Sequence, residues 1–85
     1  MQKYLIVAIV KTNKKEKIIK KEINKKLKNI YNIKYKISIY PEEKNNIKVK
    51  ISLKDLLYTI NLESLVIKAL ASFEIIKIRS NLINN

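Results

Sequence analysis

The run IKVKISLKDLLYTINLESLVIKALASFEIIKIR, residues 47–79, decides how the chain is read. Its first part alternates, with Ile47, Val49, Ile51 and Leu53 on one side and Lys48, Lys50 and Ser52 on the other, which is the period of a half-buried strand. After Lys54-Asp55 the alternation gives way to a long apolar segment, from about Leu56 to Ile78. At 100° per residue, Asn61, Ser64, Lys68, Ser72 and Arg79 share a narrow polar stripe. Leu62, Leu65, Val66, Ala69, Phe73 and Ile76 make one apolar face. Leu56, Ile60, Ile67, Ala71 and Ile78 make a second, with Glu63, Glu74 and Lys77 between the two. The spacing therefore predicts one helix of more than five turns, led by Asp55 as its N-cap. One apolar face would cover the chain's own sheet. The other, through Ile60, Ile67, Ala71 and Ile78, would need a second chain, and predicts an obligate dimer or a tight complex with another subunit.

Working towards the N-terminus, Ile33, Tyr35, Ile37 and Ile39 alternate with Lys34, Lys36 and Ser38, a second strand of the same kind. Residues 41–46, PEEKNN, are a polar connector with turn chemistry at both ends. The two strands read as a hairpin with a loop of about six residues. The chain has no glycine, so a two-residue turn with positive φ is not expected.

Residues 11–30 carry helical period. Ile19, Ile23, Leu27 and Ile30 form a stripe, with Ile18 beside it. Thr12 or Asn13 is placed to cap the helix, with Glu16 three residues past Asn13. The opposite face is nearly all lysine: Lys14, Lys17, Lys20, Lys21, Lys25 and Lys28. Tyr4 to Val10 is continuously apolar and β-branched, and reads as a strand buried on both faces. One face would lie under the helices, and the other again asks for a cover. Residues 80–85 read as a frayed polar tail. The whole is predicted to be one α+β domain, residues 1–85, in the order strand-helix-strand-strand-helix. Its sheet would be three-stranded and antiparallel, ordered first-third-second, with both helices on one face.

The composition narrows the chemistry. The 85 residues hold no cysteine and no histidine, which removes disulfides, the common transition-metal ligands and Ser-His or Cys-His nucleophile pairs. Without glycine there is no phosphate-cradling loop. Glu42 and Glu43 are adjacent in a turn, and Glu63 and Glu74 are three helical turns apart, so no carboxylate pair can share a proton. The sequence predicts a binding or assembly protein with no cofactor, not an enzyme. No segment is long and apolar enough to span a membrane, and the apolar run at Tyr4–Val10 makes a poor signal peptide, so a cytoplasmic protein is expected.

The formal net charge is +12, from 19 Lys and Arg against 7 Asp and Glu. Such a balance suggests a polyanionic partner. It also has a bland origin: heavy use of Lys, Ile and Asn is what AT-rich coding produces. The outward Lys34, Lys36, Lys48 and Lys50 lie on neighbouring strands, and like charges across a sheet cost stability unless something neutralises them. RNA phosphates would do so, as would an acidic protein surface. With Lys14, Lys17, Lys21 and Lys25 of the first helix they are the candidate nucleic-acid contacts. The face offers Tyr40 near one edge and little else for base stacking, so sequence-specific reading is not expected.

The strand running straight into an Asp-led helix, Ile47 to Asp55 and beyond, resembles the Pcc-type small subunit of the KEOPS complex, which serves threonylcarbamoyladenosine modification of tRNA. Anchored on Asp55, Ser64-Leu65 stands at that family's Asn-Ser position and Lys68 at its second Arg, while Ile60 replaces the first Arg. The resemblance covers nearly the whole chain in topology but little of it in motif. It implies a non-catalytic subunit, paired with itself or with a paralogue, that binds the Kae-type catalytic subunit and adds basic surface for tRNA. Ser64 and Lys68 would then join Ile60, Ile67, Ala71 and Ile78 at the protein interface. A small stand-alone nucleic-acid-binding protein, ribosomal or viral, and a structural adaptor dimer are the alternatives.

Overall fold

The computed structural model describes residues 2–28, 30, 33–55 and 62–83. Six elements follow in order: β1 (Gln2–Lys11), α1 (Glu16–Leu27), β2 (Ile33–Pro41), β3 (Asn46–Asp55), α2 (Leu62–Ala69) and β4 (Glu74–Ile83). The strands form one sheet in the order β2-β3-β1-β4, and every neighbouring pair is antiparallel. This is the βαββαβ arrangement of ferredoxin-like domains.

The sheet thus has four strands, not the three predicted, and the difference is seen in residues 62–83. The predicted helix of more than five turns does not form. Asp55 ends β3 instead of leading a helix, α2 spans eight residues, and the chain turns at Leu70–Phe73. That turn is made by tightening: Ala71 N–H donates to Lys68 O at 3.3 Å and Phe73 N–H to Leu70 O at 3.0 Å, the three-residue spacing that closes many helices. Glu74 then opens β4, which carries Ser80 to Ile83 alongside β1 where a frayed tail was predicted. A register shift between Ile9 and Val10 of β1, opposite Lys77 and Ile75, makes Ile76 the extra residue of a β-bulge and leaves it 52% exposed.

The core lies between the sheet and the two helices. Ile6, Ala8 and Val10 of β1, Ile37 of β2, and Ile47, Val49, Ile51 and Leu53 of β3 meet Ile19, Ile23 and Leu27 of α1. Val66, Ala69, Leu70 and Phe73 close it from the α2 side, and Ile75 and Ile78 of β4 pack against it half-buried. Burying each large aliphatic side chain contributes about 1.5–3 kcal/mol. Tyr35 lies beside α1, where its hydroxyl donates to the Asn24 side-chain oxygen.

Two local details also depart from the sequence reading. Neither Thr12 nor Asn13 caps α1. Lys15 holds the N-cap position without a side-chain bond, and Thr12 Oγ1 instead accepts from Lys14 N–H at 3.1 Å within the preceding turn. The β2–β3 connector is also tighter than six residues. Asn46 N–H donates to Glu43 O, and the two central residues, Lys44 (φ 55°) and Asn45 (φ 63°), are both left-handed. That is the positive-φ turn a hairpin prefers, made here without glycine.

Two outcomes test this architecture. Removing residues 80–85 should lower the unfolding midpoint markedly in urea, since it strips four of the nine β1–β4 residue pairs; a frayed tail would leave it unchanged. Val66→Glu should abolish the cooperative transition, whereas Ile67→Glu, at a side chain 42% exposed, should shift stability by under about 1 kcal/mol.

Candidate nucleic-acid interface on the open sheet face

Both helices cover one side of the sheet, so among the described residues the other side is open. Strand alternation decides what it presents. On β1 it carries Leu5, Val7 and Ile9, all half-buried. On β3 it carries Lys48, Lys50, Ser52 and Lys54, and on β2 Lys34, Lys36, Ser38 and Tyr40. On β4, Lys77, Arg79 and Asn81 stand opposite Ile9, Val7 and Leu5. Lys3 and Lys11 lie at the two ends of β1. An apolar stripe along the middle of the sheet is therefore flanked by cations on both sides.

Lys34, Lys36, Lys48 and Lys50, predicted from the alternation of the hairpin, all fall on this face. Lys48 meets the Glu42 carboxylate at 3.7 Å, a half-exposed pair worth little. Lys50 Nζ lies 5.4 Å from the centre of the Tyr40 ring, within cation–π range. Among the described residues Lys77 and Arg79 have no carboxylate partner, and Glu74 at the start of β4 is the acid that β4 adds to the sheet. Lys77, Arg79, Lys54 and Lys3 were missed as site residues. For the β4 pair the signal is present: Lys77, Arg79 and Asn81 alternate with Ile78, Ser80 and Leu82, but the expected helix to about Ile78 and the expected tail from Ser80 divide that alternation.

The lysines of α1 lie in the other layer. Lys17, Lys20 and Lys21 line a surface groove with Asn24, Tyr35, Ile37 and Lys36 of the edge strand β2. That groove brings Lys17 and Lys21 to the rim of the open face, at Lys36. Lys25 is exposed on α1 and lines neither this groove nor the sheet. Lys14 is engaged elsewhere. Its Nζ donates to Glu22 Oε1 at 2.9 Å and stands 5.3 Å from the centre of the Phe73 ring, and Ser72 Oγ donates weakly to Glu22 Oε2 at 3.5 Å. The hydrogen bond from Lys14 holds the Glu22 carboxyl below its ordinary value; desolvation opposes it, and the Lys14 charge, the Ser72 hydroxyl and the Lys26 charge add to it.

The residues expected at a protein interface do not share one helix face. Ile67 and Ala71 are exposed, as are Ser64 and Lys68, but Ala71 is already in the turn after α2. Ile78 is on β4 and packs half-buried against the core. Ile60 lies outside the described residues. The two-faced helix that predicted a dimer is replaced by a short helix with one buried face. Among the described residues the exposed large apolar side chains are Ile18, Tyr40, Ile67 and Ile76, and the Leu5-Val7-Ile9 stripe of β1 lies half-buried on the open face. Among the described residues no three acidic side chains gather where a metal ion could be held, and no helix is long and apolar enough to cross a membrane.

No protein-family model matches the chain, and no curated protein matches it in sequence. Solved structures do match it in shape. The C-terminal domain of the MgtC protein from Mycobacterium tuberculosis superposes with a TM-score of 0.73 at 20% identity, over 98% of this chain and 88% of that one. The hypothetical protein ORF119 from Sulfolobus islandicus rod-shaped virus 1 gives 0.63 at 19% identity, over 100% of this chain and 70% of that one. A de novo designed protein with ferredoxin fold, LFR1 1, gives 0.59 at 12% identity, over 100% and 88%. At these identities the likeness is one of fold. It agrees with the four-stranded sheet and against the three-stranded one.

The Glu22 contacts give a pH prediction. A carboxyl whose folded pKa is depressed contributes stability above its ordinary value and loses that contribution as pH falls through the folded value. Glu22→Gln should therefore lower the melting temperature slightly near neutral pH. The difference from the unmodified protein should shrink below pH 4.5, the ordinary value. A difference that stays constant into acid would mean the carboxylate is not held by Lys14.

Proposed function

We propose that this domain is a non-catalytic, cytoplasmic nucleic-acid-binding module that takes RNA phosphates across its open sheet face. One observation supports the reading above the others. All four strands send cations to the same face, with little acid among them, and they surround an apolar stripe that water covers poorly. Phosphate contacts supply affinity without sequence information. On the open face neither β1 nor β3 presents an aromatic, since Tyr4 of β1 packs towards the core; a sheet-face reader stacks bases there, so the face suits a sequence-tolerant binder. The proposed contact set is Lys34, Lys36, Lys48 and Lys50, joined by Lys77 and Arg79, with Lys17 and Lys21 extending it around the β2 edge. Lys14, paired with Glu22, and Lys25 stand outside it.

A second reading draws on the half-buried Leu5-Val7-Ile9 stripe, which a protein could cover. An assembly subunit of a tRNA-modifying complex of the KEOPS kind would use it so. That reading has lost the long Asp-led helix on which the resemblance rested, and keeps only the basic surface for tRNA.

Salt dependence separates a built face from general charge. Changing Lys34, Lys36, Lys48 and Lys50 together to Gln should flatten the plot of log affinity against log salt by up to about 3 for single-stranded RNA, at roughly 0.7 per lost contact. Changing Lys15, Lys25, Lys26 and Lys28 to Gln removes the same charge from α1 and its flanks and should alter the slope much less. Equal loss from both sets would mean that the binding is diffuse and the charge compositional. Retention of a sugar-kinase-like ATPase on the immobilised protein, lost on Val7→Asp, would favour the assembly reading.

A further inference from the structure

The open face is not uniform along its length. Where β4 and β3 flank the middle of β1 there is a depression of about 280 Å³, lined by Val7, Ile9, Lys48, Lys77, Arg79 and Asn81. Its floor is aliphatic, from β1. Its walls are polar, with Lys77, Arg79 and Asn81 on the β4 side and Lys48 on the β3 side.

We infer that this depression is a subsite for a single nucleotide unit, its phosphate held by Arg79 and Lys77 and its base laid on Val7 and Ile9. The inference rests on the reading of the open face as a nucleic-acid surface and gives that surface a point of attachment. Three features carry it.

The first is the arginine. The chain has 19 basic residues and Arg79 alone is not lysine. A guanidinium presents a planar fork that meets two oxygens of one phosphate, which an ammonium cannot do. Here the fork stands opposite Val7 in the strand register, with Lys77 opposite Ile9 next to it. Both are exposed and, among the described residues, have no carboxylate partner. The walls across β1 differ: Lys48 faces Glu42, and Lys50 faces the Tyr40 ring. The β4 wall is the one ready to receive an anion.

The second is the floor. A bare phosphate gains nothing from Val7 and Ile9. A ligand with an apolar, flat part next to its anion gains by covering them, at about 25 cal/mol per Å² of apolar surface removed from water. A nucleotide has that build. The Asn81 amide offers both a donor and an acceptor to a base edge.

The third is size. The depression is just under the smallest pockets that take small organic ligands, about 300 Å³. It suits one nucleotide unit and is too small for several. The unit could be free or part of a strand, and the same chemistry serves both.

Titration of the isotopically labelled full chain followed by amide NMR tests the subsite. The probes are adenosine 5′-monophosphate, adenosine, inorganic phosphate, octanoate and a 5′-phosphorylated five-nucleotide RNA. Adenosine monophosphate should shift the amides of Val7, Ile9, Lys77, Arg79 and Asn81 together, and bind at least fivefold tighter than adenosine, phosphate or octanoate. Arg79→Lys keeps the charge and loses the fork. It should weaken adenosine monophosphate at least fivefold while the salt slope for RNA stays as it was. The five-nucleotide RNA binding tenfold tighter than the mononucleotide would assign the site to a strand, and equal binding to a free nucleotide. Phosphate or octanoate binding as tightly as the nucleotide, or an Arg79→Lys variant indistinguishable from the unmodified protein, would overturn the subsite. If the four-lysine Gln variant keeps its full RNA salt slope while the mononucleotide result holds, the subsite stands and the wider RNA reading falls.

Discussion

Strand β1 sets the terms for the rest of the molecule, because it is apolar on both faces and has a strand on each side. Ile6, Ala8 and Val10 are fully buried beneath the helices. Every backbone donor and acceptor along such a strand must be paired to be buried, and β3 and β4 supply the two ladders. Both partners run antiparallel to β1, so the chain must leave β1 and come back from the far edge, first through α1 and β2, later through α2. Both helices pack on the Ile6-Ala8-Val10 side, which leaves Leu5, Val7 and Ile9 facing outwards. The open face, with an apolar centre and charged flanks, follows from the placement of this one strand.

The parts of the fold that alternate or repeat cleanly were readable. Lys48 and Lys50 against Ile47, Val49, Ile51 and Leu53, with Lys34 and Lys36 against Ile33, Tyr35, Ile37 and Ile39, placed four lysines of the hairpin on one face. Ile19, Ile23 and Leu27 gave the buried stripe of α1. Residues 62–83 were not readable by the same means, for two physical reasons. Punctuation is missing, since a helix end is usually marked by glycine and this chain has none. The turn at Leu70–Phe73 is built from ordinary residues that pass for helix. The bulge at Ile76 then breaks the two-residue period at the start of β4, so that Ile75, Ile76 and Ile78 fit a helical wheel as well as a strand. The β-branched crowding there favoured a strand, and residues 74–83 form one. From that misreading came the two-faced helix, and from the helix the predicted interface at Ile67, Ala71 and Ile78. The cations of β4 were lost with it.

The half-buried stripe of β1 on the open face raises the question of its cover, and charge decides against a second copy of the same face. Stacked sheets lie about 10 Å apart. Two copies meeting there would set Lys48, Lys50, Lys77 and Arg79 against the same residues of the partner, at about one Debye length in physiological salt. The water that does the screening would be expelled at the centre. Burying three aliphatic side chains from each copy returns only about 1.5–3 kcal/mol apiece at best, and they are already half-covered. Desolvating that many like charges costs several kcal/mol per ion where no opposite charge is buried with them. A polyanion reverses the sign of the electrostatic term and leaves the apolar term in place. It can also conform to a face whose two flanks differ, with Lys48 and Lys50 already partnered on the β3 side and Lys77 and Arg79 open on the β4 side. An anionic strand laid across β1 would therefore engage the β4 side first, and the lysines of β3 and β2 afterwards.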